Sequence, residues 1–201
     1  VPLKGMRKKI KENMEIQARI PTVIHMDEID VTDLYNLRKR EKKKMPEGVN
    51  LTFLPFVIKA LIIAAKKYPI VFSVLEGEEI IIKKYYNIGI AVATDDGLIV
   101  PVLKGTDQKS ISQMAKELQD LAQKARERTL DLMDLKGSAF TITNVGSIGG
   151  LFATPIINPG ESSILGLGRI HDKPVVSGNR IKTIKVRKVL PISLAFDHRV
   201  Y

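Results

Sequence analysis

The 201-residue chain is 44% hydrophobic and 27% charged, which supports a substantial core and excludes a disordered or low-complexity protein. It has no cysteine, which excludes disulfides, a thiol nucleophile and thiolate metal sites; its three histidines, His25, His171 and His198, are too scattered to suggest a metal centre. The formal charge of +10 suits an anionic partner, but Arg7-Lys8-Lys9 and the run from Arg38 to Lys44 lie in helix-like segments, where a solvated face accounts for most of them.

Met6, Ile10 and Met14 recur at helical spacing, so the chain opens on an amphipathic helix that Ile20-Pro21 ends. Thr22 to Ile29 alternates and predicts a strand. Thr32 is placed as the N-cap of a helix running to about Lys44, and Pro46-Glu47-Gly48 makes a turn. Leu51 to Lys67 predicts a mostly apolar helix, buried on most sides. Strands follow at Ile80 to Lys83, Tyr86 to Thr94 and Leu98 to Leu103, with Asp95-Asp96-Gly97 as a hairpin turn. Ser110 to Glu127 is a second long amphipathic helix. Then come a strand from Ala139 to Thr143, a glycine-rich loop through Gly150 and a strand from Ser163 to Leu167. Ser177-Gly178-Asn179 turns a hairpin, and the last strand runs from Leu190 to Phe196.

Hairpin-joined strands mixed with long helices predict one α/β domain with a mixed sheet. The longest apolar stretch, Phe53 to Ala65, is interrupted by Lys59 and is too short to span a bilayer; no signal peptide opens the chain. A soluble cytoplasmic protein (or one of the mitochondrial matrix, if eukaryotic) is expected. No nucleic-acid motif and no tryptophan accompanies the basic charge, so neither nucleic acid nor membrane is expected as a partner. Gly146-Ser147-Ile148-Gly149-Gly150 has no adjacent Lys-Ser/Thr and makes a poor phosphate loop.

Two segments carry possible chemistry. Asp197-His198-Arg199 follows the apolar strand Leu190 to Phe196, and a strand end can present an imidazole to a cleft as a base near neutral pH; a histidine merely satisfied by neighbouring charges is the plainer alternative. Phe140-Thr141-Ile142-Thr143-Asn144 feeds hydroxyl and amide side chains into the glycine-rich loop, with Thr141 and Thr143 on one face of the strand. A Ser-His-Asp hydrolase competes, but there is no Gly-x-Ser-x-Gly elbow, and Ser162-Ser163 enters a strand.

Together these segments resemble the dihydrolipoamide acyltransferases, the E2 components of 2-oxoacid dehydrogenase complexes. The tail resembles that family's Asp-His-Arg-x-x-Asp-Gly signature, which chloramphenicol acetyltransferase shares in looser form. Phe140 to Gly150 resembles its second signature. Ordered matches run along the whole chain, among them Gly5-Met6-Arg7-Lys8-Lys9-Ile10, Asn87-Ile88-Gly89-Ile90-Ala91, Asp96-Gly97-Leu98-Ile99-Val100-Pro101-Val102 and Ile164-Leu165-Gly166-Leu167-Gly168-Arg169-Ile170. The sequence departs in three places: the signature's second Asp and Gly would fall beyond Tyr201, Phe72-Ser73 stands where the family has an Asn, and Thr143 replaces a Ser.

The resemblance implies a chloramphenicol acetyltransferase-like mixed sheet with flanking helices, and residues 1–201 as a C-terminally incomplete acyltransferase catalytic domain. It implies His198 as general base and Thr143 as oxyanion donor, with the two supplied by neighbouring chains of a homotrimer. Coenzyme A would be a substrate, contacted by Arg38, Thr52, Asn144, Ser147, Gly168 and Ile170; no metal is implied. The lipoyl group would come from a domain outside these residues, as would the links to E1 and E3, and trimers would be able to build a larger cage. A catalytically silent architectural core subunit is the alternative.

Overall fold

A computed structural model of the chain describes residues 2–95, 97–177 and 183–201, and leaves the side chains of Met6 and Ser177 outside that set. Helix α1 (Gly5–Gln17) leads into strand β1 (Thr22–Asp30), and α2 (Thr32–Glu41) follows at once. After the turn closed by Val49 N donating to Pro46 O comes α3 (Leu54–Lys67), with a proline in its first turn, where a missing N–H costs nothing. Short strands β2 (Ser73–Glu76), β3 (Glu79–Ile82), β4 (Ile88–Ile90), β5 (Val92–Thr94), β6 (Gly97–Ile99) and β7 (Val102–Leu103) precede α4 (Ile111–Glu127). The last elements are β8 (Phe140–Asn144), β9 (Ser163–Leu167), β10 (His171–Ser177) and β11 (Thr183–Asp197).

The main sheet runs in the order β1-β11-β9-β8-β4-β7, with β10 paired to the first half of β11. It is mixed, as expected: β8 lies parallel to β9 and β4, and the other pairs are antiparallel. Helices α3 and α4 cover one face, where Ile58, Ile62, Met114 and Ala125 meet Ile88, Phe140, Ile142 and Leu167. Each large apolar side chain fully buried there contributes about 1.5–3 kcal/mol. On the opposite face Ile157, Ile164 and Ala195 form a second, smaller core with Ile20 and Ile24.

Several expectations need correction. Thr32 is the first residue of α2 and not its N-cap, a place taken by Val31. The Thr32 hydroxyl donates to Asp30 and accepts from Lys188 N, with no bond to a helix amide among the described residues. The helix ends at Glu41, and Lys42–Lys44 tighten into a 3-10 turn. Helix α3 begins three residues later than Leu51 and is not buried on most sides, since Ile63 is 71% exposed. The expected long strands Tyr86 to Thr94 and Leu98 to Leu103 each break in two. Their outer halves, β4 and β7, join the main sheet, while β5 and β6 form a ribbon of their own. Ser73–Glu76 is a further strand, beyond those expected, and β11 starts seven residues before Leu190 to pair with β10. The two expected turns lie partly outside the described residues, at Asp96 and at Gly178-Asn179. The expected helix with Ile10 and Met14 forms, but Met14 and Ile16 are exposed in the single chain.

Candidate active site

The candidate base sits just past the end of β11. Asp197 is buried, and its N–H donates to Ser162 O; His198 N donates to Pro21 O. Val200 N returns to Asp197 O, closing a tight turn with His198 at its crest. Arg199 grips the Asp197 carboxylate with Nε and Nη2 at 2.7–3.2 Å, and its backbone N–H adds a third contact at 3.0 Å. Burial alone would raise the Asp197 carboxyl, but the Arg199 hydrogen bonds and charge outweigh it and hold the group below the usual aspartate range. His198 itself is exposed, and neither ring nitrogen is bonded to a described residue. Its ring lies 6.1 Å from that of Phe196, which in turn meets Tyr201 edge-on at 5.1 Å.

The candidate hydroxyl lies near the end of β8. Thr143 is half-buried, and its hydroxyl has no hydrogen bond among the described residues. The loop beyond it is fixed by backbone, Val145 N donating to Leu167 O and Arg169 N to Gly150 O, and by one side chain, Asn144 Oδ1 accepting from Gly146 N. Glycine is required at two positions here. A Cβ on Gly146 would meet Gly168 O at 2.4 Å, and one on Gly168 would meet Leu151 O at 1.9 Å.

Register gives the spacing of the two groups. Thr143 stands beside Gly166, which stands beside Ser193, two strands away. His198 lies five residues beyond Ser193 along the same strand direction. Two strand spacings and five residues of rise put the two groups roughly 19 Å apart within one chain. A single carbonyl needs both within about 3 Å of its reacting atoms, so the two side chains of one chain do not act on the same carbonyl.

The six expected coenzyme A contacts fall into two groups at the end of the sheet nearest Thr143. Asn144, Ser147 and Gly168 are joined by the loop just described, with Ser147 Oγ donating to Asn144 O, and Ile170 packs against the main core. Arg38 lies on α2 and is tied to the segment just before Thr52. The Arg38 Nε donates to Leu51 O at 2.8 Å and the guanidinium covers the Phe53 ring at 5.0 Å, which leaves its terminal nitrogens for an anion. Val31 N donating to Lys188 O ties the start of α2 to β11 at the sheet end nearest Thr143. The basic runs of α1 and Lys42–Lys44 are solvent-exposed. His25 is exposed on β1 and His171 Nδ1 lies 3.2 Å from Arg169 O, so neither approaches His198 in sequence or register.

Sequence reasoning passed over Glu161. It is 4% exposed, and its Oε1 accepts from Ser138, from Thr141 at 2.9 Å and from Asn158 at 3.1 Å, while Oε2 is buried with no hydrogen-bond partner among the described residues. Burial pushes its carboxyl up, against the pull of those donors and of Lys83. An acidic residue opening an apolar strand after Asn158-Pro159-Gly160 was the available signal, but such residues usually face water.

A family model described as 2-oxoacid dehydrogenases acyltransferase (catalytic domain) matches residues 1–201. The chain is 47% identical over 199 residues to the dihydrolipoyllysine-residue acetyltransferase component of a pyruvate dehydrogenase complex from Staphylococcus epidermidis, covering 97% of this chain and 45% of that protein. It thus spans less than half the length of the curated relatives it matches. The dihydrolipoamide acetyltransferase structure of Azotobacter vinelandii superposes with a TM-score of 0.93 at 39% identity, over 100% of this chain and 83% of that one. The cubic core of a pyruvate dehydrogenase multienzyme complex gives the same TM-score, identity and coverage. Chloramphenicol acetyltransferase, 14% identical with a TM-score of 0.54 over 95% of this chain and 86% of its own, shares the fold.

Proposed function

We propose, from the premise that this chain belongs to the 2-oxoacid dehydrogenase acyltransferase catalytic-domain family, that it moves an acyl group between dihydrolipoamide and coenzyme A. The acetyl group is the acyl group favoured by the names of its relatives. In the direction of coenzyme A acylation, His198 accepts the proton of the attacking thiol as its sulfur bonds to the thioester carbonyl carbon. A free thiol (pKa ~8.5) lies about two units above an imidazole (~6.5), so prior full transfer would cost about 3 kcal/mol; removal during attack avoids that step. The Thr143 hydroxyl donates to the oxyanion, a contact that contributes ~2.7–4 kcal/mol. As the carbonyl re-forms, the bond to the dihydrolipoamide sulfur breaks, and His198 returns the proton to that sulfur.

The observation that carries this reading is a free imidazole held on the Asp197–Arg199 turn, at a distance from Thr143 that one chain does not bridge. The site is therefore proposed to form between chains of a homotrimer, His198 from one and Thr143 from its neighbour. The exposed Met14 and Ile16 of α1 and Val23, Met26 and Ile29 of β1 are apolar surface suited to such a contact. The residues suit coenzyme A: the Arg38 guanidinium for its phosphates, and Asn144 and Ser147 beside the glycine-walled loop for its polar arm. A larger cage of trimers, a lipoyl domain elsewhere in the protein, partners E1 and E3 and a cytoplasmic setting complete the proposal, as does assignment of residues 1–201 to one catalytic domain. The test is acyl transfer from acetyl, isobutyryl and succinyl coenzyme A to free dihydrolipoamide. Transfer is expected, with loss of at least ~100-fold in His198→Ala and retained coenzyme A affinity. Near-normal turnover of that variant would remove His198 as the base, and absence of transfer by the unaltered protein would leave an architectural subunit.

A further inference from the structure

We propose that Tyr201 is a positioning residue for His198, holding the exit of the turn on which the imidazole stands. The proposal rests on the acyltransferase reading above and adds a residue to it. The entry to that turn is fixed by Asp197, through Ser162 O and Arg199, and His198 N is fixed by Pro21 O. Past Val200 the Tyr201 side chain supplies the anchor. Its hydroxyl donates to Ile70 O at 3.0 Å and lies 2.7 Å from Ser163 Oγ, with Ser162 Oγ at 3.5 Å. Ser162 Oγ is also 3.0 Å from Ser73 Oγ, and Ser73, Ser162 and Ser163 are all buried. Three buried serines thus form a hydroxyl cluster that the Tyr201 hydroxyl completes.

The same ring then acts on the imidazole. Tyr201 meets Phe196 edge-on at 5.1 Å and 60°, and Phe196 lies 6.1 Å from His198. Phe196 is opposite Ser163 in the β9–β11 register, so one residue pair sets both the hydroxyl contact and the ring contacts. Tyr201 is not itself an acid or base for the reaction. Its one proton is committed to Ile70 O, and Ser163 is the donor to its oxygen. Its effect on the chemistry passes through the placement of His198, and a displacement of about 1 Å at a reacting group can lower turnover ~100-fold.

The experiment is a two-by-two comparison in the full-length protein of Tyr201→Phe, His198→Ala and the double variant, at matched folded fraction by circular dichroism. Tyr201→Phe is expected to lower kcat roughly tenfold, with KM for coenzyme A and for dihydrolipoamide within about twofold of normal. In the His198→Ala background it is expected to change the residual rate by less than twofold, because no imidazole remains to be positioned. Equal fold-losses in both backgrounds, or an unchanged kcat in Tyr201→Phe while His198→Ala is inactive, would overturn the positioning role alone. Undiminished turnover of His198→Ala would overturn the acyltransferase base as well. Should Tyr201→Phe fail to assemble, Ser163→Ala removes the donor to the same hydroxyl and carries the same expected pattern.

Discussion

At the end of β8 the positioning device is backbone. Gly146 and Gly168 approach so closely that neither position has space for a methyl group, and the chain on either side is fixed through peptide hydrogen bonds. At the end of β11 side chains add to the backbone contacts: a carboxylate gripped by a guanidinium, a hydroxyl seated among serines and three rings in tilted and edge-on contact. The difference teaches where each region fails. A backbone contact at van der Waals distance has no graded response, because any added atom collides with atoms that have nowhere to move. A side-chain network loses its contacts one at a time, and each loss has its own modest cost.

The largest expected effect tests whether the two regions meet only across chains. His198→Ala and Thr143→Val should each lower turnover on the order of 100-fold or more when assembled alone, the first by losing the base and the second by losing the oxyanion donor. Co-assembled in equal amounts, they should recover about one quarter of normal turnover, the share of chain junctions that pair an intact His198 with an intact Thr143. Recovery is read by steady-state acyl transfer on the mixed assembly. No recovery in a mixture shown to contain both chains would place base and hydroxyl in one chain, against the roughly 19 Å that the register sets between them.

The next test stays on one side of the comparison. Gly168→Ala should cost about 3 kcal/mol or more, since its methyl would stand 1.9 Å from Leu151 O with Pro191 Cβ behind it. Gly166→Ala, two residues earlier and within β9, meets Ser193 O at 3.4 Å and Pro155 Cγ at 3.6 Å, ordinary contact distances, and should cost under about 1 kcal/mol. Urea denaturation of the two variants measures both. Similar costs would mean that the segment through Leu151 yields, and that the β8 end is softer than its glycines imply. On the β11 side, Asp197→Asn weakens the Arg199 fork without adding bulk, for a loss on the order of 1–3 kcal/mol by the same measurement.

The two regions were not equally legible in the sequence. The mixed sheet, both long helices and β9 to the residue followed from periodicity and turn residues, because each buries one face or both in the usual way. The strands around Ala91 and Pro101 did not, since nothing local marks where a chain leaves one sheet for another. Thr143 and His198 were visible through the family resemblance, and their separation was not, because register is a property of neighbouring strands and not of either segment. Tyr201 and Glu161 were hidden for a related reason. Most of their partners, Ile70 and Ser163 for one and Ser138 and Thr141 for the other, lie far away along the chain.

Glu161 gives the smallest effect and a test of sign. Its carboxyl lies behind the β8 strand, on the side of Thr141, facing Lys83. Burial raises its pKa, so the folded chain holds the proton more tightly than the unfolded chain does. That contribution to stability is present in full below the ordinary glutamate range and is lost as pH rises through the raised folded value. Lys83 sets the opposing pull: burial lowers its ammonium, and the charges of Glu161 and Glu76 work against that. Its Nζ also donates to Ser138 O and Gly160 O, which keeps the ammonium near the carboxyl whatever the latter's charge. Glu161→Gln copies the shape of the protonated acid and cannot ionise. Its amide oxygen can take the three hydrogen bonds that Oε1 now accepts, so the fold should survive the change. Denaturation midpoints of the two proteins from pH 5 to 8 should therefore diverge in one direction, with the unaltered protein losing stability relative to Glu161→Gln as pH rises. The opposite slope would mean that Lys83 and the three donors win over burial and hold the carboxyl ionised, making this a buried ion pair beneath β8.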